Sequence, residues 1–150
     1  MVAAGGIADG RTLAAALTLG AQGVMMASRF IATKECQVHE NIKNELIRRQ
    51  EFETVLFGKS IGLQGRALKN SVINEILSIE AKCGGLKELI PLMGGERIKE
   101  SLEGGNVESA PLMVGQSIGL IKEVLTCREL LDTMAQGAAA CLAKTNRMIA

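Results

Sequence analysis

The chain has 150 residues, of which 47% are apolar and 22% charged, so its composition provides material for a folded core and excludes a disordered chain. The formal net charge of +1 does not indicate binding to nucleic acid or to an acidic membrane surface. The apolar residues include 7 Met and 3 Phe but no Trp or Tyr, which favours packed helices over an aromatic-rich β-sandwich.

The chain begins with a predicted strand–helix–strand unit. The apolar run 2–4 ends at Gly5 and Gly6, which indicates a strand followed by a loop. Asp9 suits the N-cap of a helix with an apolar face, and Gly20 suits the position after its end. Residues 23–26 then form a second buried strand. A short strand, helix and strand in succession require parallel strands and a right-handed crossover.

A single unit of this kind leaves its strand edges and one sheet face uncovered. Parallel strands are nearly always covered on both faces, so we expect the unit to belong to a larger sheet, with the chain beginning inside it. No secretory leader is visible at the start of the sequence, which has no basic segment before its glycines. The apolar stretch 12–33 contains glycines and Arg29, which argues against a membrane span.

The remainder, 34–150, is predicted to be mostly helical. One helix has its apolar face around Ile42 and pairs Glu45 with Arg49 on its outer side. The run 52–57 fits a strand or an extended segment, and 60–70 is predicted as a loop. Further predicted helices lie around 73–77, which ends at a Gly-Gly pair, at 86–93, at 97–102, and after Thr126.

The last helix has a capping-box pattern at its start, where Thr126 is followed three residues later by Glu129. No repeat or linker divides the chain. The simplest organisation is a single partial domain, with a strand–helix–strand unit at 1–33 and a helical region at 34–150.

The cysteines do not form a zinc motif, because none are paired at C-x-x-C spacing and the chain has 1 His. Reduced thiols in a cytoplasmic protein are therefore expected. These cysteines are Cys36, Cys83, Cys127 and Cys141.

The predicted strand ends carry the residues that suit a phosphate. Gly5 and Gly6 follow the first strand, and 25–28 follow the second, so both lie at the carboxyl ends of neighbouring parallel strands. TIM barrels build active sites at that end, and a phosphate site after strands seven and eight recurs among them. Glycines allow close backbone approach, and a short helix beginning near Ser28 adds N–H donors and a positive dipole end. A Gly-Gly pair alone fits a simple tight turn better than a phosphate site.

The whole sequence resembles the nitronate monooxygenases, formerly called 2-nitropropane dioxygenases, and the related FMN-dependent enoyl-acyl carrier protein reductases. The resemblance starts with AAGGIADGRTLAAALTLGAQGVMMASRFIAT at 3–33 and continues with KECQVHENIK and RALKN. The later segments LMGGERIKESLEGGNVESA and VGQSIGLI narrow the resemblance from FMN-binding and phosphate-binding barrels in general to this family. The resemblance implies the C-terminal part of a (β/α)8 TIM barrel, with strands seven and eight and a mostly helical C-terminal region.

The resemblance also implies FMN as cofactor. The family's phosphate contacts fall on Gly5, Gly6, Met25, Met26, Ala27 and Ser28 of this sequence. The family usually has Gln where Met25 stands and Gly where Ala27 stands. A Cβ at residue 27 adds bulk beside the phosphate and disfavours a positive φ, and we expect both departures to be tolerated. Ser28 in place of the usual Thr keeps the hydroxyl.

No catalytic residue is assigned. The family's catalytic histidine precedes the seventh strand, whereas His39 follows the eighth, so a helix-surface or packing role is favoured for His39. Gln116 and Ser117 either line the substrate side or begin a helix, and the sequence leaves both readings open. Arg48 and Arg49 fit a solvated helix face better than an anion site.

The leading functional hypothesis is an FMN-dependent oxidoreductase that converts alkyl nitronates and oxygen into carbonyl compounds and nitrite. The first alternative is the enoyl-acyl carrier protein reductase branch, in which NAD(P)H reduces the flavin. The second is a non-catalytic partial barrel. The expected partner is a small molecule, a nitronate or an enoyl thioester, and neither nucleic acid nor a membrane. A homo-oligomer is compatible with the sequence. The isolated chain is expected to be poorly soluble and to bind FMN weakly or not at all.

Overall fold

The N-terminal part of the computed structural model, which describes residues 1–149, contains the predicted strand–helix–strand unit. Strands β1 (Val2–Ala4) and β2 (Gly23–Met25) are parallel, and Ala3 lies opposite Val24. Helix α1 (Gly10–Thr18) connects them and begins after Asp9, whose carboxylate accepts the Thr12 N–H at 2.9 Å. The prediction of parallel strands joined by a helix is confirmed.

An antiparallel hairpin follows the short helix α2 (Ser28–Ile31) and helix α3 (Glu40–Arg48). Its strands are β3 (Thr54–Phe57) and β4 (Gly65–Leu68). The prediction of a loop over 60–70 is therefore wrong for the residues of β4. This strand begins with glycine and has no alternating pattern, so its pairing with β3 rather than local propensity determines its conformation.

The helical part continues with α4 (Ser71–Ala81), α5 (Leu86–Met93), α6 (Gly95–Gly104) and α7 (Cys127–Ile149). A 3-10 helix at Gln116–Leu120 precedes α7. The capping box predicted at the start of α7 is confirmed, because the Thr126 N–H donates to the Glu129 carboxylate at 2.8 Å and the Glu129 N–H donates to the Thr126 hydroxyl at 3.1 Å. Within residues 1–149, no helix is long and apolar enough to cross a membrane.

Three apolar clusters hold these elements together. The first joins α3, β4 and the 3-10 helix, with Leu46 and Ile118 completely buried. The second packs the hairpin against α4 and α5 around Ile76. The third joins α7 to the strand–helix–strand unit through Leu130 and Met134. Because α7 packs on the unit that carries the strand ends, the end of the chain supports the N-terminal site.

Helices α1 and α7 cross at glycines. A Cβ built on Gly10 would lie 2.5 Å from the Gly137 carbonyl carbon. A Cβ on Gly137 would lie 3.3 Å from the Gly10 Cα. The two backbones therefore touch directly, which places the start of α1, and the loop before it, against α7.

Candidate functional site

A concave site of about 200 Å³ opens at the carboxyl ends of β1 and β2. We call this site the cradle. It brings together both predicted halves of the phosphate site and adds a third segment from much later in the chain. The cradle is lined by Ala4, Gly5, Gly6, Ile7, Met25, Met26, Ala27, Ser28, Gly115 and Ser117.

Gly5 and Gly6 supply the first wall of the cradle. Their φ angles are +85° and +74°, in the left-handed region that glycine adopts without steric cost. A Cβ built on either residue would meet no protein atom within 4 Å. Glycine is thus required here by the backbone turn and not by protein packing, and the space beside both residues is open to a ligand.

Ser28 supplies the second wall, and its side chain is fixed by the third segment. Its Oγ accepts the Gly115 N–H at 3.0 Å, and the residue is buried. Because that bond uses an oxygen lone pair, the hydroxyl proton can donate to a ligand oxygen. The N–H groups of Ser28 and Arg29, at the start of α2, have no intrahelical acceptor. Since α2 has 4 residues, these N–H groups matter more than any helix dipole.

The backbone at Ala27 adopts a conformation that accepts a side chain. Its φ is −112° and its ψ is −68°, which an alanine accommodates without strain. The backbone therefore tolerates the Ala27 Cβ, as expected, because the positive φ angles of the cradle fall on Gly5 and Gly6. Ala27 and Met25 are exposed, whereas Met26 packs against the cluster around Met134.

Arg29 follows Ser28 in α2, and the sequence analysis gave it no role at the site. It is 5% exposed, and its guanidinium donates to the carbonyls of Ala32 at 3.1 Å and Glu123 at 3.2 Å. Burial lowers the pKa of Arg29 and the Glu123 carboxylate opposes this effect, yet an arginine remains charged at neutral pH. Arg29 therefore fastens α2 to the segment before α7.

The two residues predicted on the substrate side are separated by the structure. Ser117 lines the cradle, whereas Gln116 is exposed and does not. Both begin the 3-10 helix, as one of the two sequence interpretations held. The residue of this segment that completes the cradle is Gly115, to which the sequence analysis assigned no role.

The remaining candidates lie away from the cradle. His39 is the N-cap of α3, where its Nδ1 accepts the Asn41 N–H at 3.1 Å. The Arg48 side chain is 77% exposed. Arg49 is less solvated than expected, because its guanidinium lies between Glu45 at 2.6 Å and Glu53 at 2.7 Å. The predicted pairing of Glu45 with Arg49 is confirmed.

The chemistry available in the cradle is that of hydrogen-bond donation. Backbone N–H groups and the hydroxyls of Ser28 and Ser117 suit the oxygens of a phosphate. No titratable side chain is among the cradle residues of the described chain, so this part of the site can hold an anion but cannot transfer protons. The donors and the open space beside the glycines fit the phosphate of a nucleotide such as FMN.

Comparison with known proteins assigns the family. Residues 1–137 match the family model of nitronate monooxygenases. The probable nitronate monooxygenase of Bacillus subtilis is 32% identical over 136 residues, which cover 91% of this chain and 39% of that protein. The (3aS,4S,5R,7aS)-5-hydroxy-7a-methyl-1-oxo-octahydro-1H-indene-4-carboxyl-CoA dehydrogenase of Rhodococcus jostii is 30% identical, over 92% of this chain and 49% of its own length.

Solved structures agree with this assignment. FabK from Thermotoga maritima superposes with a TM-score of 0.87 at 30% identity, over 98% of this chain and 46% of that one. A nitroalkane oxidase from Streptomyces ansochromogenes superposes with a TM-score of 0.74 at 25% identity, over 96% of this chain and 40% of that one. The chain thus spans less than half the length of these relatives. It belongs to the nitronate monooxygenase family, with the α/β fold of a TIM-barrel strand–helix–strand unit followed by a mostly helical C-terminal region.

Proposed function

We propose that this chain binds the phosphate of FMN in an oxidoreductase that acts on alkyl nitronates. The observation that carries the proposal is the convergence of Gly5, Gly6 and Ser28 on one concave site lined by N–H and hydroxyl donors. Membership of the nitronate monooxygenase family supports FMN as the phosphate-bearing ligand. When bound, FMN supplies the redox chemistry of the reaction.

The residues of this chain would act by holding and orienting the cofactor. The backbone N–H groups beside Gly5 and Gly6 would donate hydrogen bonds to phosphate oxygens, and so would the backbone N–H groups of 25–27 along the second wall. The Ser28 hydroxyl would donate a hydrogen bond to a phosphate oxygen, while the Gly115 N–H holds the Ser28 Oγ in place. Proton transfer to or from the substrate must use a group outside the cradle lining, because that lining contains no titratable side chain in the part of the chain described by the structure.

The test of this function is nitronate-dependent oxygen uptake by the protein with FMN bound. We expect uptake that requires both the nitronate and FMN, together with formation of nitrite. A protein that holds FMN and consumes no oxygen with any alkyl nitronate would contradict the proposed reaction. A non-catalytic partial barrel would also bind FMN, and it would turn over neither a nitronate nor an enoyl thioester.

A thioester reductase is the second candidate. It is favoured by the similarity to the coenzyme A thioester dehydrogenase of Rhodococcus jostii and to FabK of Thermotoga maritima. NAD(P)H oxidation that depends on an enoyl thioester, in the absence of nitronate-dependent oxygen uptake, would select this candidate. The FMN phosphate cradle would serve both reactions equally.

A further inference from the structure

Two consecutive residues of α2 hold the two ends of one later segment. Ser28 accepts the Gly115 N–H at 3.0 Å through its Oγ, and the Arg29 guanidinium donates to the Glu123 carbonyl at 3.2 Å. We call residues 115–123, which contain the 3-10 helix, the strap. We propose that Arg29 is a positioning residue for the phosphate, because it holds the far end of the strap and thereby keeps Gly115 aligned with the Ser28 hydroxyl. This inference rests on the proposed function of the cradle.

The near end of the strap belongs to the cradle, since Gly115 and Ser117 both line it. A Cβ built on Gly115 would lie 3.7 Å from the Ser117 Oγ and 4.0 Å from the Ser28 Oγ, so the two hydroxyls flank this glycine. A displaced strap therefore moves two lining residues. It also removes the contact that orients the Ser28 hydroxyl, whose hydrogen otherwise rotates to suit its surroundings.

The middle of the strap is held by apolar packing. Ile118 and Ile121 are completely buried in the first apolar cluster. Their burial fixes the depth of the strap in the core, but it does not fix the direction of the two ends, because the hydrophobic effect is non-directional. The hydrogen bonds of Ser28 and Arg29 supply that direction.

The Arg29 side chain suits the role of a clamp rather than that of a direct phosphate ligand. It is 5% exposed and is not among the residues that line the cradle. One nitrogen of its guanidinium donates both to the Ala32 carbonyl at 3.1 Å and to the Glu123 carbonyl. The N–H bonds of a guanidinium lie in a fixed plane, so this group joins the end of α2 to the end of the strap in one geometry.

The attachment continues beyond the strap. Thr33 and Leu125 form a parallel bridge, and the Lys34 N–H donates to the Leu125 carbonyl at 2.9 Å. The residues after α2 therefore run beside the residues after the strap. Arg29 is the side chain that extends this attachment to the helix that begins at Ser28.

The test is a double-mutant cycle on FMN affinity, measured by NMR titration of the 15N-labelled chain. Ser28→Ala, Arg29→Gln and the variant with both changes are compared with the unchanged chain. A misaligned hydrogen bond costs about two- to tenfold in affinity, and we expect that loss for Arg29→Gln. Because Arg29 acts through the contact of the Ser28 hydroxyl, the same change should cost less than about twofold in the Ser28→Ala background. Losses that multiply, as they do for independent sites, would overturn the inference.

Arg97→Gln is the matched control. The Arg97 guanidinium also donates to two backbone carbonyls, those of Ser109 and Pro91, and Arg97 does not line the cradle. Its replacement removes the same kind of clamp from another part of the chain and should leave FMN affinity unchanged. An equal loss of FMN affinity in Arg97→Gln and Arg29→Gln would show a general effect on stability and overturn the role of Arg29.

A second readout needs no FMN and uses Arg29→Lys, which keeps the buried charge but not the planar guanidinium. Amide hydrogen exchange at Gly115 should become about tenfold faster in this variant, as expected when a local hydrogen bond loosens. The amide of Ile76, a completely buried residue of α4, is the reference and should keep its rate. Equal acceleration at both amides would indicate global destabilisation and contradict a positioning role.

The two readouts separate this inference from the proposed function. Faster exchange at Gly115, with no FMN binding by the unchanged chain, would overturn the cofactor proposal and keep Arg29 as the residue that holds the strap. FMN binding that Arg29→Gln leaves unchanged, together with unaltered exchange at Gly115, would keep the cofactor and overturn the role of Arg29.

Discussion

The Ser28 hydroxyl accepts the Gly115 N–H at 3.0 Å and so joins residues 87 positions apart in the sequence. The bond links the end of β2 to the segment between α6 and α7. It also fixes the orientation of a buried hydroxyl whose proton remains available to a phosphate oxygen. The late part of the chain therefore completes a site that begins at its first strand.

Removing this hydroxyl should weaken FMN binding. Ser28→Ala loses a donor to the phosphate and leaves the Gly115 N–H without its acceptor. A hydrogen bond to a charged group contributes about 1.5–3 kcal/mol, so we expect a loss of about tenfold or more in affinity. Ser28→Thr should retain affinity. Ser78→Ala, at an exposed position of α4, is the control, and affinities are measured by NMR titration with FMN. Equal affinity of the Ser28→Ala and Ser78→Ala variants would contradict the role of the hydroxyl.

Gly6→Ala should affect both the backbone and the ligand. Its φ of +74° makes alanine unfavourable by about 1–2 kcal/mol, and the new Cβ occupies the open space of the cradle. Gly20→Ala is a matched control with a φ of +94° and open space around its Cβ, but it lies outside the cradle. We expect similar losses in the free energy of unfolding and a loss of FMN affinity for Gly6→Ala alone. A parallel loss of affinity in both variants would point to backbone strain instead.

The crossing of α1 and α7 should not tolerate a larger residue at Gly10. A Cβ there would lie 2.5 Å from the Gly137 backbone, so the helices must separate, at a cost of about 1–3 kcal/mol in the free energy of unfolding. Gly104→Ala in α6 meets no atom within 4 Å and should stabilise the protein slightly. Urea unfolding measures both effects. A Gly10→Ala variant as stable as the Gly104→Ala variant would contradict direct contact between the backbones of α1 and α7.

The loop after β3 should loosen in acid, because the Glu80 carboxylate holds its N–H groups at Gly58 and Ser60. Burial acts to raise the pKa of Glu80, but the N–H groups of Ser60 and Gly58 outweigh it and lower the pKa below 4.5. A lowered folded-state pKa stabilises the fold above pH 4.5, and this stabilisation is lost as pH falls through the folded value. The amide shifts of Gly58 and Ser60 should titrate with a midpoint below 4.5 and not titrate in Glu80→Gln. A midpoint above 4.5 would contradict this assignment.

Local chemistry explains which elements the sequence predicted. Asp9 and Thr126 mark helix starts because their side chains bond to the first turn, a contact within three residues. The strand β4 was missed because its conformation depends on β3 and on Met113, neither of which a local pattern reveals. Gly65 in that strand even suggests a loop when it is viewed alone.

The residues of the cradle also fall into two groups, those that local sequence patterns reveal and those that depend on distant partners. Gly5, Gly6 and Ser28 could be proposed from strand ends and family motifs, and the structure brings them together. The contacts of Gly115 and Arg29 could not be predicted from the sequence. Their partners, Ser28 and Glu123, are 87 and 94 positions away. Alanine at position 27 was expected to be tolerated, and its φ of −112° agrees, although the residue type alone does not reveal that angle.

The most direct test of the account compares FMN with riboflavin, which lacks the phosphate. Amide resonances of the 15N-labelled chain are followed during titration with each compound, a method that also detects weak binding. We predict that FMN shifts the amides of Gly5, Gly6, Ser28 and Gly115 saturably and that riboflavin leaves them in place. Equal shifts with both compounds, or no shift with FMN at millimolar concentration, would contradict the phosphate cradle.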